Sequence, residues 1–164
     1  MKKSIILLAA IVCSIAMSAQ KFGYISTQEL FMQMPELTGV QAKMDSLNKQ
    51  YENLLMSMQE EYQKKLKDYQ DRQATMSDAI RQIQEEELYS MQQRLQTTYQ
   101  TAQQDIEAKR AELLKPVNEK MVKAIQDVGA ANGYTFIFDS SATVYVAPNA
   151  DNVMNLVKKQ LGIQ

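Results

Sequence analysis

The chain has 164 residues, with 18 Lys and Arg against 19 Asp and Glu, no His, no Trp and one Cys, Cys13. Without His, and with a single Cys, neither a Ser-His-Asp or Cys-His nucleophile nor a His- or Cys-ligated zinc site can be assembled. The five glycines, at 23, 39, 129, 133 and 162, fit neither phosphate-binding loop pattern, and a formal net charge of −1 supplies no basic field for nucleic acid. These exclusions predict a protein that is not an enzyme and takes no cofactor and no metal.

Residues 1–19 have the layout of a secretory signal peptide. Lys2 and Lys3 precede the apolar run from Ile5 to Val12, and small residues lead to Ala19, so cleavage is expected near Gln20. The run is too short for a membrane span. Val12 stands where a lipoprotein signal has a small residue, so lipidation of Cys13 is not expected. Cleavage would take Lys2 and Lys3 from the 18 basic residues and leave a net charge of about −3, with no Cys for a disulfide in an oxidising compartment. The periplasm is the expected location, and packing and assembly must supply the stability.

Lys21 to Ser26 is expected as a strand, followed by a short helix capped by Thr27 and running to Met34, which Pro35 ends. From Leu37 to Val128 the chain is crowded with Gln, Glu, Lys, Met, Leu and Ala, all good helix formers. Its apolar stripe steps by three and four through Leu37, Val40, Met44, Leu47, Tyr51, Leu54 and Met58, then Tyr62, Leu66 and Tyr69. Thr75 with Asp78 resembles a capping box, and Ser77 is a second possible N-cap, so a new helix is expected there. Its stripe is read as Ile80, Ile83, Leu88, Met91, Leu95, Tyr99, Ala102, Ile106 and Leu113. A long helix with one apolar stripe needs a partner, which an antiparallel fold-back supplies; one continuous coiled coil is the alternative.

Pro116 predicts a kink or restart, after which Val117, Met121, Ile125 and Val128 form a last buried face. Gly129 reads as a C-cap. Tyr134 to Phe138 reads as a buried strand, Asp139 to Ser141 as a turn, and Ala142 to Val146 as the second strand of a β-hairpin. A final helix is expected after Pro148, Asn149 and Asp151, with Val153, Leu156, Val157 and Leu161 on its apolar face. The fold class is therefore α+β, mostly α. A long antiparallel helical-hairpin tentacle, residues 37–115, stands on a small β body formed by residues 20–36 and 116–164. So few strands leave open edges and uncovered faces, so the body is expected to be oligomeric.

Two stretches carry a resemblance. Tyr24-Ile25-Ser26-Thr27-Gln28-Glu29-Leu30-Phe31 through Pro35-Glu36 to Gly39-Val40 resembles the opening of the Skp/OmpH family of periplasmic chaperones, and Asn132-Gly133-Tyr134 with Phe136-Ile137-Phe138-Asp139 is similar to its return strand. The resemblance implies a homotrimer with a shared β body and three tentacles enclosing a cavity for unfolded outer-membrane proteins. It implies an ATP-independent holdase. Well-known members are strongly basic, whereas the pI here is about 5.6, which weakens the implied electrostatic grip. The alternative is a structural coiled-coil spacer or adaptor in the envelope, and a third reading places the tentacle tips on a membrane surface. The body is expected to use Phe22, Tyr24, Ile25, Tyr134, Phe136, Phe138, Val144 and Val146 for assembly. Met56 and Met76, which fit the seam less well, join Ile80 and Ile83 near the tip as the expected client contacts. Glu85-Glu86-Glu87 and the Lys64, Lys65 and Lys67 cluster read as solvated helix flanks.

Overall fold

The structure, a computed structural model, describes residues 20–163. The expected signal peptide, residues 1–19, lies outside the described residues. In chain order the elements are β1 (Lys21–Ile25), α1 (Thr27–Met32), α2 (Glu36–Arg72), a 3-10 turn (Gln73–Thr75), α3 (Asp78–Ala131), β2 (Tyr134–Asp139), a second 3-10 turn (Ser140–Ala142), β3 (Asp151–Asn152) and α4 (Met154–Leu161). The fold is α+β and mostly α. The chain divides into two compact units, Pro35–Val117 and a second that takes in the chain up to Met34 and from Asn118 onward.

The first unit is the helical hairpin. Pro35 at the N-cap position of α2 ends the preceding helix, and its fixed φ suits the start of the next. The fold-back lies at Gln73 to Ser77, and of the two expected caps Ser77 is the one used. Its Oγ accepts from the Ile80 amide at 3.5 Å, while the Thr75 hydroxyl turns back to the Arg72 carbonyl at 2.9 Å. The two helices are antiparallel and pinned by side chains. The Tyr51 hydroxyl donates to Asp105, Lys65 donates to Glu87 at 2.7 Å, and the Tyr69 hydroxyl donates to Glu85, so the partners descend α3 as the donors ascend α2.

The seam corrects the expected stripe in several places. Leu54 is exposed and Leu55 takes its position, while on α3 Ile80, Ile83 and Tyr99 face outward and Arg81, Gln84 and Thr98 turn inward. The inward series 81, 84, 88, 91, 95, 98, 102 is an unbroken alternation of three and four. The stripe drawn through Ile83 and Leu88 required a step of five, which was the sign of a wrong phase.

Helix α3 runs through Pro116 without restarting. A proline costs the helix one backbone bond and a clash, about 3 kcal/mol. The next turns, where Val117, Met121, Ala124 and Val128 are buried, offset it. Gly129 is not the cap. It lies inside α3, where a Cβ would come 3.3 Å from Ile137 Cδ1, and the left-handed residue past the helix end is Gly133, φ 70°.

The second unit is organised on β1, which is the middle strand of a sheet ordered β2-β1-β3 and is parallel to both neighbours. The β-hairpin expected from Tyr134 to Val146 does not form. Asp139 Oδ1 accepts from both the amide and the hydroxyl of Ser141 at 2.8 Å, which curls the chain into a 3-10 turn. Residues 143–147 then run without strand pairing, and Asp151–Asn152 takes the free edge of β1. Those two residues therefore do not open the last helix; Asn152 Oδ1 accepts from the Met154 amide at 2.9 Å and α4 starts there. Likewise Ser26, not Thr27, caps α1, accepting from the Glu29 amide, while the Thr27 hydroxyl reaches Asp139.

The core of this unit is Ile25, Leu30, Met34, Met121, Ala124, Val128, Val153, Met154 and Val157. Gly23 faces the same way as Ile25, and a Cβ on it would stand 2.9 Å from Val153 Cγ1 and 3.0 Å from Tyr134 Cε1. Val153 is fully buried and stiff, so the clash cannot be relieved cheaply. Gly23→Ala should destabilise this unit by about 1–3 kcal/mol, read as a lower unfolding midpoint in urea; an unchanged midpoint would contradict the packing.

Donation from the Thr27 hydroxyl, then from the Ser141 amide, holds the Asp139 carboxyl below its ordinary 3.8. The folded carboxylate is thus the weaker base, and its contribution is complete above 3.8 and lost as pH falls through the lower folded value. Asp139→Asn should cost about 1 kcal/mol at neutral pH, the partly exposed site being screened. The unfolding midpoints of the two proteins should converge in strong acid; a gap constant with pH would refute the carboxylate's role.

Candidate functional site

Two surfaces offer apolar groups to partners. On the sheet, the alternation of β1 sends Gly23 and Ile25 inward and Phe22 and Tyr24 to the other face. The parallel register sets Phe22 beside Phe136 and Tyr24 beside Phe138. The three phenylalanines form one cluster, with ring centroids 5.9 to 6.2 Å apart. They remain 47%, 56% and 47% exposed for Phe22, Phe136 and Phe138. Strand β2, expected as buried, is instead an edge strand with an open aromatic face. Of the other residues expected in the body, Ile25 is buried inside the unit, Val144 is fully exposed and Val146 is half-buried outside any strand. Tyr24 is half-buried, its hydroxyl accepting from Asn152.

Tyr134 turns inward beside Gly23 and belongs to a polar latch rather than to the open face. Its hydroxyl donates to Asp151, and Lys21 Nζ sits 3.9 Å from its ring centre and 3.5 Å from Asp151. Burial, then the bond to Asp151, raises the Tyr134 hydroxyl, while that same bond holds Asp151 low. The latch joins β2 to β3 across the end of β1.

The second surface is the hairpin. Among the described residues of this unit, Met44, Ala102 and Val117 are buried, and the other seam residues are half-buried. In an antiparallel pair, a residue that follows a seam residue turns to the same side on both helices, because reversing the chain and reversing the facing direction cancel. The structure bears out this rule on both sides. Lys65 and Glu87, each just before a seam residue, bond to one another. Gln59, Gln92, Gln96 and Tyr99, each just after one, line a single groove of about 590 Å³.

The four residues expected at the client surface separate accordingly. Met56 is 55% exposed on the side of that groove, whereas Ile80 and Ile83, 47% and 60% exposed, lie on the side of Lys65 and Glu87. Met76 sits in the fold-back and is half-buried. Tyr89 and Tyr99, also exposed, share the side of Met56. Sequence reading missed both, and the regular step of the seam would have found them.

Among the described residues no three acidic, His or Cys side chains gather as a metal site, and no helix is long and apolar enough to cross a membrane.

Residues 21–161 match the protein family described as "Outer membrane protein (OmpH-like)". The chain belongs to the OmpH-like family. A relative, the chaperone protein Skp of Pectobacterium atrosepticum, is 25% identical over 144 residues, covering 88% of this chain and 87% of that protein. A crystal structure of a Caulobacter crescentus protein named as an OmpH-like outer membrane chaperone superposes with a TM-score of 0.76 at 17% identity, covering 88% of this chain and 85% of that one. That likeness establishes the fold. An OmpH-like chain is not an enzyme.

Proposed function

We propose that this OmpH-like protein is an ATP-independent holdase of the periplasm, which binds unfolded outer-membrane β-barrel proteins and keeps their strands from pairing with one another. The observation that carries this reading is the hairpin: a thin helical pair that leaves Met56, Tyr89 and Tyr99 in water. A spacer has no use for such groups, which burden solubility. Flexible thioethers and aromatic rings suit many weak contacts with a chain that has no fixed shape.

The protein acts as a homotrimer in this reading. Support comes from the open cluster of Phe22, Phe136 and Phe138 on the face shared by β1 and the edge strand β2, an arrangement that a lone chain leaves wet and sticky. Three hairpins held together then bind by avidity without a strong single site. Phospholipid surfaces remain a partner to be tested in parallel, by flotation with liposomes.

Dilution of a urea-unfolded outer-membrane protein into the purified protein, without nucleotide, should give suppressed light scattering; unhindered aggregation would sink the reading. Gel filtration with light scattering should report three chains, and Phe22→Ser with Phe138→Ser should raise the dissociation constant of the assembly by about tenfold or more. A stable folded monomer of the unaltered chain would contradict the trimer.

With a net charge of −1 over the whole chain, long-range attraction contributes little to holding. Moderate salt should therefore change client affinity by less than about threefold. Collapse of binding with salt would show that charge, not apolar contact, is the grip.

A further inference from the structure

The two sides of the hairpin are chemically different. On the side that bears the groove, the residues just after seam positions between Glu52 and Lys67 of α2 are Met56, Gln59 and Gln63. Between Glu85 and Glu107 of α3 they are Tyr89, Gln92, Gln96, Tyr99 and Gln103. None of these carries a charge; the charged residues of this side, Glu52 and Lys67 on α2 and Glu85 and Glu107 on α3, stand at the ends of the stretch and leave its middle neutral. The opposite side, over the same length, holds Glu61, Lys65, Glu87 and Arg94, with Lys65 and Glu87 in an ion pair at 2.7 Å.

We propose that the uncharged glutamine and tyrosine side is where extended client polypeptide lies, and that it is recognised there through its backbone. This rests on the holdase reading and assigns it a surface and a chemistry. A glutamine amide offers two N–H donors and a carbonyl acceptor, the same pair of functions that an unpaired peptide group presents. Gln92 and Gln96 stand about 6 Å apart along the helix axis. An extended strand repeats its same-facing backbone groups every ~6.6–6.8 Å, so successive amides meet successive groups. The groove between them, about 590 Å³, is of the size in which clefts hold ligands, and Tyr62, Leu95 and Tyr99 line it for the apolar side chains of a strand.

The charge pattern gives the same choice of side. A strand laid against Glu61, Lys65, Glu87 and Arg94 would desolvate charges, the Lys65–Glu87 pair among them, and favour particular charge sequences. The neutral side does neither, which suits clients of many sequences whose common feature is an unsatisfied backbone. Ile80 and Ile83, on the charged side, are then not the main contact.

The test uses the purified protein in its exported, assembled form and a fluorescently labelled outer-membrane barrel protein diluted from urea. Gln59→Glu with Gln92→Glu and Gln96→Glu keeps side-chain shape and helix propensity but replaces donors by charge. It should weaken client binding by about tenfold or more, while Ile80→Gln with Ile83→Gln changes it by less than about twofold. A photo-crosslinking amino acid in place of Gln96 should capture client, and one in place of Ile83 should not. Circular dichroism and light scattering establish that the variants keep helix and assembly; if the glutamate variant loses either, the crosslinks decide. Capture from the position of Ile83 alone, or full affinity in the folded glutamate variant, overturns the assignment and leaves the holdase reading standing. Failure of the unaltered protein to bind client at all overturns both.

Discussion

Everything in this molecule depends on β1 being paired along both edges by strands that arrive more than a hundred residues later. Five residues near the start of the described chain, Lys21–Ile25, find their hydrogen bonds in Tyr134–Asp139 on one side and Asp151–Asn152 on the other. Closing a flexible loop of that length costs about 4 kcal/mol of chain entropy, before any strand contact repays it. The helical hairpin lowers this cost. It forms through local contacts, so much of the chain between β1 and β2 is ordered by its own packing rather than left as free coil. Parallel pairing of β1 with β2 needs a long crossover rather than a tight turn, and the helices between them supply its length.

The two units answer different needs. Around β1, burial is nearly complete at Ile25, Leu30, Val153 and Val157, and Gly23 makes way for Val153 at van der Waals limits. The hairpin is the reverse. Beyond Met44 and Ala102 its seam is half-wet, and Arg81, Gln84 and Thr98 occupy positions that a tighter coiled coil would give to Leu or Ile. Such a seam buries too little to be rigid, and local opening there is cheap compared with opening of the sheet. Surface left unspent on the seam is surface available for binding.

How much of this could be read from the sequence depended on period. Helix α2, the fold-back, α3, β1 and β2 were legible because the helix formers are continuous from Glu36 to Ala131 and the strand residues of Phe22 to Ile25 and Tyr134 to Phe138 are flanked by turn residues. Errors arose where a local signal competed with a tertiary one. Ala142 to Val146 has the composition of a strand, but the Asx turn at Asp139 directs the chain away from β2, and two polar residues, Asp151 and Asn152, take the edge instead. Gly129 looks like a helix stop because glycine usually is one; here it is an approach of α3 to Ile137. On α3 the large apolar groups Ile80, Ile83 and Tyr99 suggest one stripe, whereas the helix keeps the period of its seam and turns them outward. A stripe that places Tyr99 in the seam hides one residue of the candidate surface, because Tyr99 faces out beside the groove.

A wet seam raises the question of how the hairpin keeps its register, because sliding by one heptad would pair apolar with apolar almost as well. Length alone does not forbid it: the fold-back contains no glycine and the 3-10 turn at Gln73–Thr75 closes on few bonds. Polar pairs across the helices do forbid it. Tyr51 with Asp105, Lys65 with Glu87 and Tyr69 with Glu85 are spaced along the hairpin so that no single shift re-forms all three. Each pair is exposed and contributes little by itself. Their value lies in the difference between registers, where three lost pairs and misplaced carboxylates add, as polar positions do in specifying coiled coils. The phenol-to-carboxylate bonds are suited to this, since a tyrosine ring packs in the seam while its hydroxyl reaches the rim. The Lys65–Glu87 pair also keeps both of its charges on one side of the hairpin, away from the groove.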